Sequence, residues 1–333
     1  MLYTSDENQG LVRVLQLLKS HHPEYLSGED LSEVLKISRV AIWKHIKKIQ
    51  ALGYKIESKQ NLGYRLTDTT SLLLPWEITN ELKTKQIGRK IYYFDSIDST
   101  QKFAVGIAKN PEEFGVAVIA ESQTAGKGRL GRQWVSPKGG IWLSVILQPS
   151  FDIYRITLIP FIVSIALSNA IKKTLNIDTE LKWPNDVTKN GKKIAGIIID
   201  ASIESTKIES IVIGVGINFQ VDTKEIENKI KDKTRFYGAE TLLKKEKTKP
   251  AILVKSFLEE LENKLEDLES NKTHDIIKNW MKNSSTIGRN VKVYNPDSVI
   301  TGKAVRLDVD GSLLVKNGTK MFRITSGDIS YQK

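Results

Sequence analysis

The first fifth of the chain carries apolar residues at helical spacing. One helix is predicted by Leu11, Val12, Val14, Leu15, Leu17 and Leu18, and a second by Leu31, Val34 and Leu35. A third should begin after Ser38, a good N-cap, direct Trp43, Ile46 and Ile49 inward, and end at Gly53. Two β-type runs, residues 54–58 and 63–66, flank Lys59-Gln60-Asn61 and indicate a hairpin. Three helices and a hairpin predict a winged helix-turn-helix over residues 1–67.

The long middle of the chain mixes strand and helix patterns. Strands are predicted at residues 91–94, 116–121, 141–147, 181–183, 194–201 and 208–218, and helices at 100–109, 156–174, 252–268 and 274–281. Asn190-Gly191 suits a tight hairpin turn before the fifth strand. Hairpin-connected strands with helices segregated to one face favour an α+β fold with a central mixed β-sheet. Residues 67–75 look like a partly packed linker.

The last part of the chain has a pattern of short strands. Residues 291–294, 300–307, 312–315 and 320–325 are β-like and separated by glycine and asparagine turns, which predicts a small SH3-like β-barrel. A chain of 333 residues exceeds what one core usually supports. We therefore expect three domains, over residues 1–67, 68–285 and 286–333.

Composition excludes several kinds of chemistry. The chain has no cysteine, which removes disulfides, thiolate metal sites and thiol nucleophiles. His21, His22, His45 and His274 lack ligand spacing with carboxylates, so no fixed protein metal site is expected. Residues 1–10 are polar, and the longest apolar run, residues 158–167, is too short for a bilayer span or an export signal. We expect a cytoplasmic protein with no membrane partner.

The charge favours anionic partners. The formal net charge is +11, and the third helix presents a polar, basic side that fits the major groove of DNA. The candidate DNA-binding residues are Ser38, Arg39, Lys44, Lys47 and Lys48. A solvated basic face is the alternative, but a short helix-turn before this helix and a wing after it favour DNA.

A basic, glycine-rich stretch lies at residues 120–134. It contains G-x-G-x-x-G at residues 126–131, but no helix pattern opens at the glycines, as a dinucleotide site requires. Lys127, Arg129 and Arg132 instead suggest a mobile loop that folds over a polyanion. A basic surface hairpin is the alternative.

Three further motifs bear on the same chemistry. Asp98-Ser99-Thr100 lies at a strand-to-helix junction, where hydroxyls can cap the helix or donate to a ligand. Lys182-Trp183-Pro184-Asn185-Asp186 is followed by Lys193-Ile194-Ala195-Gly196, where Lys193 enters an apolar strand and must reach solvent or pair with an anion. Gly214 and Gly216 interrupt a β-forming run that ends at Asn218, which suggests close approach of a ligand or a bulge.

These five motifs, in this order, resemble the biotin protein ligase family. With the winged helix, the chain is similar to the bifunctional ligase/repressor members, and the resemblance covers nearly its whole length. One departure is Lys127, where an arginine often stands, and lysine lacks the planar fork of a guanidinium. Residue 127 is therefore not expected to make the bidentate contact of an arginine.

The resemblance implies a two-step reaction with ATP, Mg²⁺ and biotin. Biotin attacks the α-phosphate to give biotinyl-5′-AMP and pyrophosphate, and a lysine of a biotin carboxyl carrier protein then takes the biotinyl group. The implied catalytic residues are Arg129, Lys193 and Arg132, and Asn185 and Asp186 are assigned to metal or acceptor-lysine positioning. The implied biotin-binding residues are Ser99, Thr100, Gln101, Gln123, Gly126, Lys127, Gly128, Arg129, Lys193, Gly196, Gly214 and Gly216. The implied ATP-binding residues are Arg129, Leu130, Gly131, Arg132, Trp134, Asn185, Lys193 and Asn218.

The resemblance also implies regulation. Biotinyl-5′-AMP would act as corepressor by favouring a homodimer through the central sheet, which places two winged helices on a palindromic operator. The alternatives are a lipoate or octanoate ligase, a ligand-sensing regulator without catalysis, and a ligase that has lost DNA binding. The sequence leaves open the operator, the acceptor, the dimer affinity, the role of residues 220–249, and whether Trp134 stacks on adenine or lies in a core.

Overall fold

The computed structural model of the protein describes residues 2–4, 8–230, 236–244, 248–295 and 298–332. An N-terminal helical unit is followed by a central sheet with helices and by a small C-terminal sheet. This order agrees with the three units expected from the sequence.

The N-terminal unit consists of three helices and a hairpin. After β1 (Leu2–Thr4) come α1 (Gln9–Ser20), α2 (Gly28–Leu35) and α3 (Arg39–Ala51), and then β2 (Lys55–Lys59) and β3 (Gly63–Asp68). Ser27 and Asp30 form a reciprocal cap at the start of α2. The Ser38 hydroxyl accepts a hydrogen bond from the Ala41 N–H at 3.2 Å and fixes the start of α3. The winged helix-turn-helix prediction is confirmed.

The inward direction predicted for Trp43 is wrong. The buried stripe of α3 consists of Ile42, Ile46 and Ile49. Residue 43 follows Ile42 by about 100° around the helix, which places Trp43 outside that stripe. Its side chain is 51% exposed.

An eight-stranded mixed sheet forms the centre of the molecule. Its order is β1-β4-β5-β6-β10-β9-β8-β7, and every neighbouring pair is antiparallel except β4 and β5. The strands are β4 (Ile91–Phe94), β5 (Ala117–Ala120), β6 (Ile141–Leu147), β7 (Glu180–Lys182), β8 (Asp186–Lys189), β9 (Lys192–Glu204) and β10 (Lys207–Ile217). The sequence patterns did not predict β1 and β8.

Helices cover both faces of this sheet, which corrects the prediction of helices on one face. The helices are α4 (Pro75–Thr79), α5 (Thr100–Ile107), α6 (Ile159–Leu175), α7 (Thr223–Lys229), α8 (Pro250–Glu269) and α9 (Thr273–Lys282). Helices α6 and α8 share the large core with Ile119 and Val145. Ala104 of α5 packs against Val118 and Ile146 on the opposite face. Every residue of β5 and β6 is buried, and strands buried on both faces require cover on both.

The most apolar helical segment lies inside this core. Ile153–Leu175 is long and apolar enough to cross a membrane by length and composition alone. Ten residues of α6 are buried, and α6 packs against α8 and α9. The segment therefore serves as the central core helix of the fold.

The C-terminal unit is a five-stranded antiparallel sheet. The strands are β11 (Asn290–Tyr294), β12 (Val299–Leu307), β13 (Leu313–Asn317), β14 (Lys320–Ile324) and β15 (Asp328–Tyr331), in the order β14-β13-β12-β11-β15. The edge strands β14 and β15 are not paired with each other among the described residues, so the predicted barrel closure is not confirmed. The Trp183 indole N–H donates to the Gly311 carbonyl at 3.0 Å and ties this sheet to the central unit.

A linker and a short helix join the N-terminal unit to the rest. Leu73 and Leu74 are fully buried, which confirms a partly packed linker. The Trp76 indole N–H donates to Tyr54 Oη at 2.8 Å, and that hydroxyl donates to Glu77 Oε1 at 2.5 Å. Lys19 Nζ also lies 2.6 Å from Glu77 Oε1. The winged helix unit thus contacts the start of the central unit through a shared, largely buried network of hydrogen bonds.

Candidate active site

A cavity of about 340 Å³ lies between the basic loop, the central sheet and β15. Most of the residues predicted from the sequence line it. These are Ser99, Thr100, Gln101, Gln123, Lys127, Gly128, Arg129, Arg132, Trp134, Asn185, Asp186, Lys193, Gly196, Gly214, Gly216 and Asn218. Gly126, Leu130 and Gly131 are outside the lining, although they belong to the loop that covers it.

The basic loop forms a hairpin. The Gly128 N–H donates to the Arg132 carbonyl at 2.8 Å, and the Trp134 N–H donates to the Gly126 carbonyl at 2.9 Å. A Cβ on Gly126 would lie 2.6 Å from the Trp134 carbonyl oxygen, so only glycine fits there. At the tip, Leu130 has φ 56° and a side chain 73% exposed. The glycines open no α-helix: a single 3₁₀ turn, Arg129–Gly131, contains the last of them, which agrees with rejecting a dinucleotide fingerprint.

Neutral polar side chains cluster on one wall of the cavity. The Thr100 N–H donates to Gln123 Oε1 at 2.8 Å, and Thr100 Oγ1 lies 3.0 Å from Ser144 Oγ. Ser144 Oγ donates to Gln101 Oε1 at 2.9 Å. Ser99 caps α5 by accepting a hydrogen bond from the Lys102 N–H, the capping alternative left open by the sequence. Sequence reasoning missed Ser144, whose signal is a lone hydroxyl within the apolar strand β6.

Two arginines of the loop are held by oxygen atoms from other elements. Arg129 Nη1 donates to Asn185 Oδ1 at 3.1 Å. Arg132 pairs with both carboxylate oxygens of Asp328, with Nη1 to Oδ1 at 3.0 Å. Burial lowers the pKa of Arg129, although the nearby carboxylates of Asp328 and Asp186 act in the opposite direction. A guanidinium that is partly desolvated binds an incoming anion more strongly than one in water.

Lys193 pairs with a carboxylate instead of extending into solvent. Its Nζ lies 2.5 Å from Asp186 Oδ1 and 5.0 Å from the centre of the Trp134 ring. Tyr237 Oη donates to Asp186 Oδ2 at 2.7 Å, and burial raises the pKa of Tyr237 well above its usual value. Asp186 therefore orients a lysine and a tyrosine at the cavity wall.

Tyr237 belongs to the segment 220–249, which shows no recognisable motif. Residues 231–235 and 245–247 of that segment lie outside the described residues. The described part contributes to the cavity lining with Ile226, Ile230, Phe236, Tyr237, Gly238 and Ala239.

Lys182 is a second functional candidate that sequence reasoning missed. It is 3% exposed, and its Nζ lies 3.1 Å from the centre of the Tyr237 ring. Within the described residues it forms no salt bridge. Burial, the largest cause, and the nearby Lys193 lower the pKa of Lys182 to about 8, while Asp186 opposes the shift. A buried cation at a cavity wall is suited to an anionic ligand. The sequence signal for Lys182 was its place as the first residue of the motif at residues 182–186.

The glycines of β9 and β10 make room for side chains. A Cβ on Gly216 would lie 2.3 Å from Trp134 Nε1, and one on Gly196 would lie 3.0 Å from the same indole. A Cβ on Gly214 would lie 2.5 Å from Gln101 Oε1. In this structure, therefore, Trp134 and Gln101 occupy the space that the sequence suggested for a ligand. The indole N–H of Trp134 is buried and has no hydrogen-bond partner among the described residues.

Asn218 keeps one buried polar atom unpaired, and the described residues hold no cluster of metal-ligating side chains. Asn218 is buried, and its amide donates to the Lys193 and Glu240 carbonyls at 3.3 and 3.1 Å. Its Oδ1 is without a partner in the part of the chain described. A search of the described ranges finds no group of three or more His, Cys, Asp or Glu side chains that could hold a metal ion.

The predicted DNA-binding residues are not part of the cavity lining. All lie on or at the start of α3 and are exposed: Ser38, Arg39, Lys44, Lys47 and Lys48. Ser38 has its hydroxyl committed to the helix cap.

Comparison with known families divides the chain as the fold does. Residues 93–218 match the biotin/lipoate A/B protein ligase family, residues 11–65 match an HTH domain, and residues 286–331 match the biotin protein ligase C terminal domain. The last match favours biotin ligases over lipoate ligases.

Similar proteins carry the same combination. The bifunctional ligase/repressor BirA of Bacillus subtilis (strain 168) is 32% identical over 317 residues, which are 95% of this chain and 97% of that protein. The BirA protein of Escherichia coli (strain K12) is 29% identical over 92% of this chain and 93% of its own length. A solved structure of the biotin protein ligase from Aquifex aeolicus in complex with biotin and ATP has 28% identity and a TM-score of 0.60, covering 73% of this chain and 98% of that one.

Fold and site together define a protein ligase that also carries a DNA-binding domain. The chain belongs to the family of bifunctional biotin ligase/repressors. It is thus a biotin–protein ligase and a transcriptional repressor in one polypeptide. The ligase relatives and the match to the ligase family both disfavour the alternative of a ligand-sensing regulator without catalysis.

Proposed function

We propose that the protein forms biotinyl-5′-AMP from biotin and ATP and transfers the biotinyl group to a lysine of a biotin carboxyl carrier protein. In the first step, a biotin carboxylate oxygen bonds to the α-phosphorus and the bond to the bridging oxygen breaks, so that pyrophosphate leaves. In the second, the acceptor amine bonds to the carbonyl carbon, AMP leaves and the amine loses a proton. The observation that carries the proposal is a cavity with a neutral polar wall that is lined by five cations: Lys127, Arg129, Arg132, Lys182 and Lys193.

The cations supply the electrostatic part of catalysis. Two anions must approach each other, and negative charge concentrates at the phosphorus as they react. We assign Arg129 and Arg132 to the phosphates, and Lys193 to the biotin carboxylate and the adjoining phosphate oxygens. Each charge-assisted hydrogen bond contributes about 1.5–3 kcal/mol. Lys182 is added as a contact for the polyphosphate, because the cavity wall holds its ammonium buried beside Tyr237.

The neutral wall suits an uncharged polar ring. A cyclic urea presents one carbonyl acceptor and two N–H donors, and hydroxyl and amide groups can match both. We assign the ureido ring of biotin to Ser99, Thr100 and Gln123, with Ser144 as an addition and Gln101 and Lys127 close by. The alternating hydrogen bonds among these residues hold the groups in place before the ligand arrives.

The loop from Gly126 to Gly131 is assigned the role of a lid. An acyl-adenylate is a mixed anhydride, so the site must exclude water until the acceptor arrives. Leu130, Gly131 and Trp134 are assigned to the ATP site with Asn185 and Asn218, and Mg²⁺ enters with ATP as part of the substrate. Asn185 and Asp186 are assigned to positioning of that ion or of the acceptor lysine. Gly128, Gly196, Gly214 and Gly216 are assigned to the walls of the biotin site.

We propose biotinyl-5′-AMP as the corepressor. Bound adenylate would favour a homodimer through the central sheet and so place two winged helices on a palindromic operator, with phosphate contacts from Arg39, Lys44, Lys47 and Lys48. What supports this is one side of β9: residues 198–204 pair with β10 but extend beyond β8, so that their other side has no strand partner among the described residues. We propose domain limits at residues 67 and 285, an SH3-like C-terminal domain, and the cytoplasm as the place of action.

The test is incubation with ATP, magnesium and biotin, followed by mass measurement of the bound small molecule and of released pyrophosphate. The expected species is biotinyl-5′-AMP, with no adduct when lipoate replaces biotin. Lipoyl-5′-AMP as the product, or no adenylate at all, would contradict the proposal.

A further inference from the structure

Helix α3 exposes apolar side chains that the fold does not use. Val40 is 63% exposed and Trp43 is 51% exposed, one helical turn apart on the outer face. We call these two residues the apolar stripe of α3. The core side of the same helix is already filled by Ile42, Ile46 and Ile49. The two adjacent exposed side chains form a small apolar patch that is available for contact with a partner.

The surroundings of the apolar stripe are strongly basic. Residues 36–48 contain five lysine or arginine residues and no aspartate or glutamate. Arg39, Lys44 and Lys47 share the outer face with Trp43, and within the described residues none of the three forms a salt bridge. A protein partner that covered the stripe would have to desolvate these like charges together. A polyanion neutralises these basic side chains, and the apolar stripe can then lie between the charged groups of the polyanion.

The position of the stripe along the helix narrows the contact further. Val40 and Trp43 lie in the first two turns of α3, and the first turns of a recognition helix are the part that reaches base edges in the major groove. Of the four bases, only thymine presents a methyl group there, and apolar side chains recognise it by contact. The cations would supply affinity that does not depend on sequence.

We propose that Val40 and Trp43 read the 5-methyl groups of thymine in each operator half-site. This inference rests on the repressor function proposed above and adds the base specificity that the basic residues alone do not provide. It replaces the core role predicted for Trp43 from the sequence with a role in recognition.

The experiment uses the full-length protein with biotin and ATP present. A library of random DNA duplexes is first selected for binding. The selected duplex is then compared with copies in which single thymines are replaced by uracil, which removes only the methyl group. We expect about a fourfold loss of affinity for each methyl that is contacted, since burial of one such group contributes a factor of that order.

The variants are Trp43→Ala and Val40→Ala, with Val34→Ala as the matched control. Val34 is also an exposed valine, 58% exposed, but lies on α2. We expect Trp43→Ala and Val40→Ala to bind the thymine and uracil duplexes equally at the positions they contact. Val34→Ala should keep the parental uracil penalty. Thermal unfolding, expected to match the parent for all three surface variants, verifies the fold.

The outcomes distinguish a failure of this inference from a failure of the repressor function on which it rests. If selection enriches no duplex, the repressor function fails, and the inference fails with it. If a duplex is enriched but both stripe variants keep the parental uracil penalty, only the inference is overturned. A change of oligomeric state in Trp43→Ala, seen by sedimentation without DNA and with that penalty retained, would identify the stripe as a protein interface and overturn it as well.

Discussion

Lys182 shows how a single buried charge can serve the site at a cost to stability. Its ammonium lies against the Tyr237 ring with no carboxylate partner among the described residues. The pKa of about 8 lies well below the ordinary value of 10.5 because burial disfavours the charged form. At neutral pH the folded protein therefore holds an unfavourable cation, which an anionic substrate can neutralise.

Lys182→Met should stabilise the free protein at pH 7 while slowing adenylate formation. A shift of this size corresponds to roughly 3 kcal/mol in the free energy of unfolding. The folded-state pKa lies below the unfolded one, so the penalty is complete below pH 8. It decreases as pH rises from about 8 toward 10.5, because the unfolded chain then binds more protons. Denaturant unfolding at pH 7 and 9.5 measures this, with the exposed Lys192→Met as control. A variant no more stable than the parent at pH 7 would contradict the buried-charge interpretation.

Lys193→Ala should reduce the rate of adenylate synthesis more than the affinity for biotin. An ammonium beside the reacting carboxylate matters most when charge concentrates at phosphorus, so the loss should fall mainly on kcat. A loss of about 1.5–3 kcal/mol corresponds to a reaction slower by roughly 10- to 160-fold. Pyrophosphate release and biotin binding are measured separately, with the exposed neighbour Lys192→Ala as control. Parental rates in Lys193→Ala would show that Lys193 serves only as a structural ion-pair partner of Asp186.

At the scale of elements, the loop over the cavity joins three units of the structure. Arg129 reaches Asn185 beside the central sheet, and Arg132 reaches Asp328 in β15. Glu121, just ahead of the loop, accepts a hydrogen bond from the Leu73 N–H of the linker at 2.9 Å. The loop itself is therefore in contact with the central unit and the C-terminal sheet, and the strand end just before it is in contact with the linker.

Arg129→Gly should release the intermediate. Losing one charge-assisted contact removes about 1.5–3 kcal/mol of retention, and free biotinyl-5′-AMP acylates any nearby amine. The variant should biotinylate serum albumin, which the parent leaves unmodified, and operator binding should weaken in parallel. Streptavidin blotting and DNA binding, both with biotin and ATP, measure these effects.

The matched control for that variant is Leu130→Gly. It places the same flexible residue one position along and keeps the cation. Leu130 lies outside the cavity lining with its side chain 73% exposed, so the ATP contact assigned to it belongs to its backbone, which glycine keeps. Glycine also adopts its φ of 56° without strain, so retention should stay near the parental level. Equal labelling of albumin by both variants would attribute the effect to flexibility. Unchanged selectivity and DNA binding in Arg129→Gly would contradict the proposal that the lid retains biotinyl-5′-AMP as corepressor.

The sequence predicted the elements whose patterns are strong and local. The three N-terminal helices and strands such as β6 follow from apolar spacing. Strand β8 was missed because Asp186-Val187-Thr188-Lys189 has little apolar pattern and pairs through its backbone with β9. Helix α5 was placed on the wrong face because spacing does not tell which side of a sheet a helix covers. Tyr237 could not be found, since only the tertiary fold brings it to Asp186.

At the scale of the whole molecule, the two functions share a buried interface. The ring of Tyr3 in β1 packs edge-on against the Trp76 ring, with 6.1 Å between the ring centres. The centres of the Tyr3 and Tyr93 rings, the latter in the central sheet, are 6.0 Å apart. Trp76 bonds in turn to Tyr54 of the winged helix unit. The DNA-binding unit is thus packed directly against the ligase unit through these aromatic side chains.

Removal of residues 1–67 should abolish operator binding and leave biotin transfer largely intact, because every motif assigned to the ligase chemistry lies beyond Phe94. The truncation also removes Tyr3, Lys19 and Tyr54, so Trp76 becomes exposed and Glu77 loses two partners. We therefore expect a lower thermal unfolding midpoint than that of the parent. A full-length variant with Lys44→Glu and Lys47→Glu keeps this interface, so it should lose operator binding without the loss of stability. Transfer to a biotin carboxyl carrier protein, operator binding and thermal unfolding are compared for all three proteins. A folded truncated protein that still bound the operator would show that DNA recognition resides outside the winged helix and would overturn the division of labour between the units.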